Sequence, residues 1–535
     1  MRTHEVLNQA PPLLDYDPLA SDLALLEALR REGAAWAEAD VGAFARVTGS
    51  AETIAWGFAA NEHPPRLRTH DRTGERIDEV EFHPAWHALM RLSIGSAVHA
   101  GPWREPREGA HVARAAKMML VSQAEAGHGC PVSMTYSAFP ALQRQPDLLE
   151  QWAPHITSLS YDGRMLPVSQ KQGALIGMGM TEKQGGSDVR ANTTRAEPGG
   201  DGAWVLTGHK WFCSAPMSDA FLVLAQAPRG LSCFLLPRWT PDGTRNRFLL
   251  QRLKDKLGNR SNASSEVEFD GAWAKLVGEE GRGVATILEM VNHTRLDCVI
   301  GAAAMMRQAL AQAVHHCVHR RAFARRLIEH PLMRAVLADL ALESEAATIL
   351  MMRLARAYDR ADPVRRLATA VSKYWVCKRA APMVAEALEC LGGNGYVEES
   401  MLPRLYREAP LNSIWEGSGN VICLDVLRAL QKEPQAREAL LDEMRLARGG
   451  DRRLDAALDA AEAGLVSPDE AGARKLVESL ALALQGALLV RHAPKAVSDA
   501  FVATRLGAEG GLAFGAIPPG FDSGAILARA WPSAA

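Results

Sequence analysis

The sequence predicts an α+β chain whose helices and strands are segregated along its length. Three observations carry this. Apolar residues recur near helical spacing from Ser21 to about Leu175. Short strand-like runs broken by Gly and Pro fill the stretch from Met180 to about Gly278. Helical texture, rich in Ala, Leu and Met, returns from Val284.

In the first segment Leu23, Leu26, Ala28 and Leu29 mark one helix face. Val112, Ala115, Ala116, Met119 and Leu120 mark another within His111 to Ala126, and prolines from Pro64 to Pro154 punctuate the helices. In the middle segment, Ala203–Thr207, Ala220–Leu224 and Leu231–Leu236 read as strands. Glu266-Val267-Glu268-Phe269 alternates as a half-buried strand should. Further on, helices are predicted over Val284 to about Arg320, Pro331–Tyr358 and Leu367–Leu391. Beyond residue 431 the pattern opens helical and ends in Gly- and Pro-containing turns. Four domains are therefore predicted: an N-terminal helical domain over 1–179, a central antiparallel β-domain over 180–282, a helical bundle over 283–430, and an additional helical domain over 431–535.

A chain of 535 residues exceeds what one core supports, which agrees with several domains. Its net charge of −2 provides no global field for nucleic acid or membrane. Eight cysteines stand without CxxC spacing, so reduced, buried thiols are expected rather than disulfides or zinc. His315 and His316 are adjacent on a helix, point apart, and argue against a shared metal. No signal peptide or spanning segment is visible, which places the protein in the cytoplasm.

Two long motifs carry the chemistry. The first is Gly179-Met180-Thr181-Glu182-Lys183-Gln184-Gly185-Gly186-Ser187-Asp188-Val189-Arg190-Ala191. The second is spaced: Glu389, Gly392, Gly393, Gly395, Tyr396, Glu399, Arg404 and Glu408. Together they resemble the two signatures of the acyl-CoA dehydrogenase family, and the similarity spans roughly residues 40 to 430. The resemblance implies helical, β and helical domains, a homotetramer, and FAD held between subunits.

Met180, Thr181, Gly186, Ser187, Trp211, Cys213 and Ser214 match the family's flavin-ring positions. The residue types suit that task. An isoalloxazine needs a flat apolar wall, which Trp211 can supply, and donors near its oxygens and N5. Arg320 and Phe323 resemble the Arg-x-x-Phe element that grips the pyrophosphate and adenosine of a neighbouring subunit's FAD, because guanidinium clamps phosphate with paired bonds. The family's next residue is usually Gly; here it is Ala324. Leu327, Gly392 and Gly393 are further cofactor positions. Without the resemblance, the two glycines read as a helix C-cap.

Ser413 to Asn420 resembles the family's Tyr-Glu-Gly-Thr segment, which makes Glu416 the catalytic base and sets Ser418 and Asn420 at the pyrophosphate. A carboxylate can take the α-proton of a thioester while the β-hydride goes to the flavin, and burial beside the ring would raise its pKa toward the working range. Arg295 matches an arginine that holds the CoA thioester arm. Asn292 stands where relatives carry its Asp partner, which weakens the case for an ordinary acyl-CoA substrate.

Longer shared blocks, Leu175–Asp188, Leu253–Ala263 and Leu402–Glu408, resemble the AidB branch of the family, as does the extra segment after 431. That resemblance implies an FAD protein that binds double-stranded DNA non-specifically, limits alkylation damage, and has weak dehydrogenase activity. Residues 431–535 hold 12 Lys+Arg against 14 Asp+Glu, so DNA contact would need local clusters. Candidates are Arg428, Arg437, Arg445, Arg448, Arg452, Arg453 and Arg505, with Arg353, Arg356 and Arg360 at helical spacing as another basic face. The alternative is a metabolic acyl-CoA dehydrogenase acting through Glu416.

Overall fold

The computed structural model describes residues 3–466, 468–507 and 509–530. Their contacts group into two compact units.

The β-rich unit comprises Glu52–Pro106 and Glu125–Thr294. A hairpin, β1 (Arg66–His70) and β2 (Arg76–Glu81), precedes the main sheet. That sheet is built from β3 (Ile176–Gly179), β4 (Arg195–Pro198), β5 (Trp204–Ser214), β6 (Ala220–Ala227), β7 (Gly230–Pro237), β8 (Phe248–Leu253) and β9 (Ser264–Val277). Strand order is β3-β6-β4-β5-β9-β7, with β8 on β9 and a further β6–β7 pairing that closes the path on itself. Pairing is antiparallel except for β3–β6 and β4–β6, which run parallel. Closure leaves few free edges. The alternation in β9 holds over Val267–Phe269, where Val267 and Phe269 enter the core with Phe221, Phe234 and Phe248 and Glu268 faces out, while Glu266 is buried against Arg252 and Lys254.

The β1–β2 hairpin lies inside the segment predicted as mostly helical and was not among the predicted strands. Its alternation is partly masked by charge, but Leu67 and Val80 pack against the sheet core. Arg76 donates to the Leu250 carbonyl (2.9 Å), Arg238 to that of Asp78 (3.0 Å) and Arg245 to that of Ile77 (2.6 Å), tying the hairpin down.

The helical unit comprises the described residues of Met1–Ala51, Arg107–Ala124 and Arg295–Ala535. Its main helices are α1 (Ala110–Ala124), α2 (Gly283–His319, whose residues from Arg295 belong here), α3 (Pro331–Asp359), α4 (Val364–Glu389), α5 (Gly419–Lys432) and α6 (Ala473–His492). The helices predicted over 284–320, 331–358 and 367–391 fall on α2, α3 and α4. A two-stranded hairpin, β10 (Arg321–Ala322) and β11 (Arg325–Arg326), follows α2. α1 is buried along almost its whole length, and its buried Arg114 pairs with Asp297 of α2 through two hydrogen bonds. α6 packs on both α3 and α4, so the segment beyond 431 joins this core. All eight cysteines are buried free thiols. Among the described residues no helix is long and apolar enough to cross a membrane, and no His/Cys/Asp/Glu group is arranged to hold a metal.

Candidate functional site

In the β-rich unit, the first motif begins at the end of β3 and runs into an exposed turn. Glu182 is its buried anchor. Its carboxylate accepts from Lys210 Nζ (2.7 Å), from the Thr193 N–H (2.7 Å) and hydroxyl (3.0 Å), and from the Thr194 N–H (3.2 Å). Lys210 also donates to the Leu224 carbonyl (2.7 Å), and the Trp211 N–H to that of Thr181 (2.8 Å), so the turn is fastened to β5. Gly186 is required locally, because a Cβ there would stand 2.4 Å from the Thr181 hydroxyl. Gly186 and Ser187 are exposed, and Met180 and Thr181 are half-buried.

β5 carries one extra residue relative to β9 between Lys210 and Cys213. Such a bulge re-aims side chains. Phe212 is 52% exposed beside the half-buried Trp211. The Lys254 ammonium lies 3.4 Å from the Trp211 ring centroid and is held by Glu266 (2.7 Å), which also accepts from Arg252 (2.6 Å). Cys213 turns into the sheet core, and burial pushes its thiol up to about 12. At neutral pH it can offer a neutral thiol or main-chain groups only. The Ser214 and Ser264 hydroxyls share a 3.3 Å hydrogen bond. A flat indole, exposed main chain and hydroxyls are a donor set that fits a planar flavin.

In the helical unit, Arg320 ends α2 and donates to the Asn8 carbonyl. Asn8 also bonds the Arg321 main chain in both directions, at 2.8 and 2.7 Å. Phe323 and Ala324 form the hairpin turn with φ of 51° and 65°, and Phe323 is 93% exposed. Ala324 is thus an L-residue in left-handed backbone. Ala324→Gly is expected to stabilise the hairpin by about 1 kcal/mol, measured as a shift in denaturation midpoint. Leu327 is half-buried. Gly392 ends the α4 region at φ 60°, as the C-cap expectation has it, and a Cβ on Gly392 or Gly393 would meet nothing within 4 Å. A ligand could therefore approach their main chain closely.

Glu416 is half-buried on a turn of two left-handed residues, with φ 58° at Glu416 and 106° at Gly417. Two cations hold the turn by consecutive carbonyls: Arg295 Nε donates to Glu416 O (3.0 Å), and Lys373 Nζ to Gly417 O. Arg295 also pairs with Asp425 (2.8 Å), which in turn accepts from Arg366 (2.9 Å). Burial opposes ionisation of Asp425, but the two arginines outweigh it and hold its pKa below the usual value. Arg295, expected from sequence at the thioester arm, is thus committed to the turn. Asn292, in the β-rich unit, is half-buried on α2. Ser418 precedes α5 and is exposed; exposed Asn420 accepts from Arg474 of α6 (2.8 Å). Lys373, Asp425, Lys254 and Arg474 escaped sequence reasoning, since each lies far along the chain from the group it serves.

Most of the candidate DNA arginines are engaged. Arg505, expected from sequence to face DNA, is half-buried and held by Asp339 and by Glu343 (3.1 Å). Arg445 and Arg448 bond Glu462, Arg453 bonds Asp451, Arg353 bonds Glu443, Arg356 bonds Glu32, and Arg360 bonds Glu108. Half-buried Arg437 lies 3.6 Å from Glu438. Arg428 and Arg452 are exposed and make no ion pair among the described residues.

Three family models account for most of the chain. The "Adaptive response protein AidB N-terminal domain" matches residues 8–163, the "Acyl-CoA dehydrogenase, middle domain" matches 177–272, and the "Acyl-CoA dehydrogenase, C-terminal domain" matches 281–431. The chain belongs to the acyl-CoA dehydrogenase family, whose members are FAD-dependent oxidoreductases. It is 49% identical over 518 residues, 96% of either chain, to the acyl-CoA dehydrogenase AidB of Escherichia coli K12. It is 30% identical to acyl-CoA dehydrogenase family member 11 of Caenorhabditis elegans, over 86% of this chain and 80% of that one. The solved structure of C. elegans ACDH-11 in complex with C11-CoA superposes with a TM-score of 0.85 at 27% identity, covering 98% of this chain and 95% of that one.

Proposed function

We propose that the chain is an FAD-containing oxidoreductase of the adaptive response to DNA alkylation, with a slow acyl-CoA dehydrogenase activity and a sequence-independent affinity for double-stranded DNA. The observation that carries this is the 49% identity with AidB along 96% of both chains. The extra segment after 431, built into the helical core, accompanies it.

In this reading Glu416 removes the α-proton of a thioester. Its turn is pre-organised by Arg295 and Lys373, which spares reorganisation at the moment of proton transfer. When bound, FAD supplies a two-electron acceptor for the substrate's β-hydrogen. Met180, Thr181, Gly186, Ser187, Trp211, Cys213 and Ser214 would hold its ring; Arg320 and Phe323 would grip the pyrophosphate and adenosine of a neighbouring subunit's FAD, Ser418 and Asn420 would contact the pyrophosphate, and Leu327, Gly392 and Gly393 would be further cofactor positions. A neutral Asn292, and an Arg295 committed elsewhere, anchor the thioester arm weakly, which favours slow turnover. The protein works as a cytoplasmic homotetramer, checked by light scattering.

Salt-titrated anisotropy on duplex DNA tests the nucleic-acid part. Arg428→Ala is expected to weaken binding and lower the salt slope by about one. Arg505→Ala is expected instead to destabilise the fold, by stranding the Asp339 carboxylate, while Glu343 keeps Arg379. Binding no stronger than that of an acidic control protein at low salt would overturn it. The second reading, a metabolic acyl-CoA dehydrogenase, is favoured by the C11-CoA complex of the C. elegans relative. Rapid, complete bleaching of the bound flavin by C11-CoA with no DNA binding would select it.

A further inference from the structure

Lys373 is 1% exposed within α4, and among the described residues it makes no ion pair. Burying an ammonium without a carboxylate is costly, and a structure keeps one only where its surroundings require it. Its hydrogen bond goes to the carbonyl of Gly417. That carbonyl directly follows Glu416, a non-glycine residue in left-handed backbone at φ 58°, a conformation that persists only when its neighbours impose it. The other cation on the turn, Arg295, is balanced by Asp425, which Arg366 also grips. Lys373 therefore contributes the charge on this turn that has no counter-ion.

We infer that Lys373 is a positioning residue for Glu416: it holds the turn in its left-handed course, and its charge favours the ionised carboxylate. The inference rests on Glu416 being the base. The groups facing this ammonium and turn are Arg295, Asp297 and Cys298 from α2, Cys377 and Lys378 from α4, Asp425 from α5, and Glu416 itself. Burial keeps both thiols neutral, pushing Cys377 up to about 12 and Cys298 well above its ordinary value. Asp297 pairs with Arg114 and Asp425 with two arginines, and the Glu416 carboxylate sits on the residue next to the carbonyl that Lys373 holds.

The test uses the full-length, FAD-loaded chain. Loss of one charge-assisted hydrogen bond is expected to speed amide exchange over residues 414–422 by about tenfold or more in Lys373→Met. FAD content should be unchanged, and Lys373→Arg should restore protection. In Lys373→Met the alkaline shift of the base limb in C11-CoA bleaching follows from removing a cation. Unchanged exchange in Lys373→Met overturns the inference. Should that variant fail to fold, Lys373→Gln, which removes the charge at the same position, is measured instead, with the same expected and overturning results. Glu416→Gln separates the two claims: it should leave exchange as in the wild type, and its continued turnover of a thioester would remove the base assignment alone.

Discussion

Glu416→Gln is expected to abolish flavin bleaching by acyl-CoA, with a loss of about 10²- to 10⁴-fold, the range for removing a positioned general base. FAD content should stay at the wild-type level. The physical grounds are local. The turn is held through main-chain carbonyls by Arg295 and Lys373, so changing the carboxylate to an amide leaves both contacts in place. Glutamine matches glutamate in shape and suffers no greater strain at φ 58°. An amide cannot accept the α-proton, so chemistry is lost while the scaffold remains. Anaerobic stopped-flow with C11-CoA measures it, and native-rate bleaching would sink the assignment.

The second large effect concerns stability. Glu182→Gln is expected to cost about 3–5 kcal/mol, because it strands the Lys210 ammonium inside the sheet with neutral acceptors and no anion. Both side chains of this pair are fully buried. The two ends respond differently. Burial opposes ionisation of Glu182, but the Lys210 charge and the Thr193 and Thr194 donors outweigh it and hold its pKa down, to about 2. Burial lowers the Lys210 pKa in spite of Glu182. The pair is ionised near neutrality, because the carboxylate is saturated with donors that only its charged form rewards fully. A depressed carboxylate contributes stability that is complete above its unfolded pKa and disappears as pH falls through its folded value. This contribution should therefore hold above about pH 4.5 and be lost toward about pH 2. Urea unfolding followed by tryptophan fluorescence measures both effects. The double variant Glu182→Leu with Lys210→Met should be less destabilised than the sum of the two single changes, since it leaves no stranded charge. Strict additivity would show the residues to be uncoupled. Weaker FAD retention should accompany the single variants, because the same pair fastens the Thr181–Gly186 turn to β5.

Much of the fold was legible in the chain. Long periodic stretches such as 284–320 set the helices, because a 3.6-residue pattern sustained over many turns has few competing explanations. The β1–β2 hairpin was missed. Its five- and six-residue strands are dense in charge, and its apolar contacts are only Leu67 and Val80 against a core formed more than a hundred residues later. In the site, Glu416 was legible because its neighbours form a motif. Its clamps were not: Lys373 is one of two lysines on α4, and nothing in its spacing distinguishes it from Lys378. The DNA candidates show the opposite failure. Arg505 looks like a free cation until α3 brings Asp339 and Glu343 to it.

Local physics determined what kind of chain this is: the order of helices and strands, the glycines at Gly186, Gly392 and Gly417, and the acid at Glu416. Those properties depend on a residue and its near neighbours, so the sequence carries them directly. Tertiary structure alone decided which charges are spent and which are in play. Ion pairs such as Arg505–Asp339 and hydrogen bonds such as Lys373–Gly417 join residues separated by tens to hundreds of positions. Their energies depend on burial and distance, and neither is defined until the helices have packed.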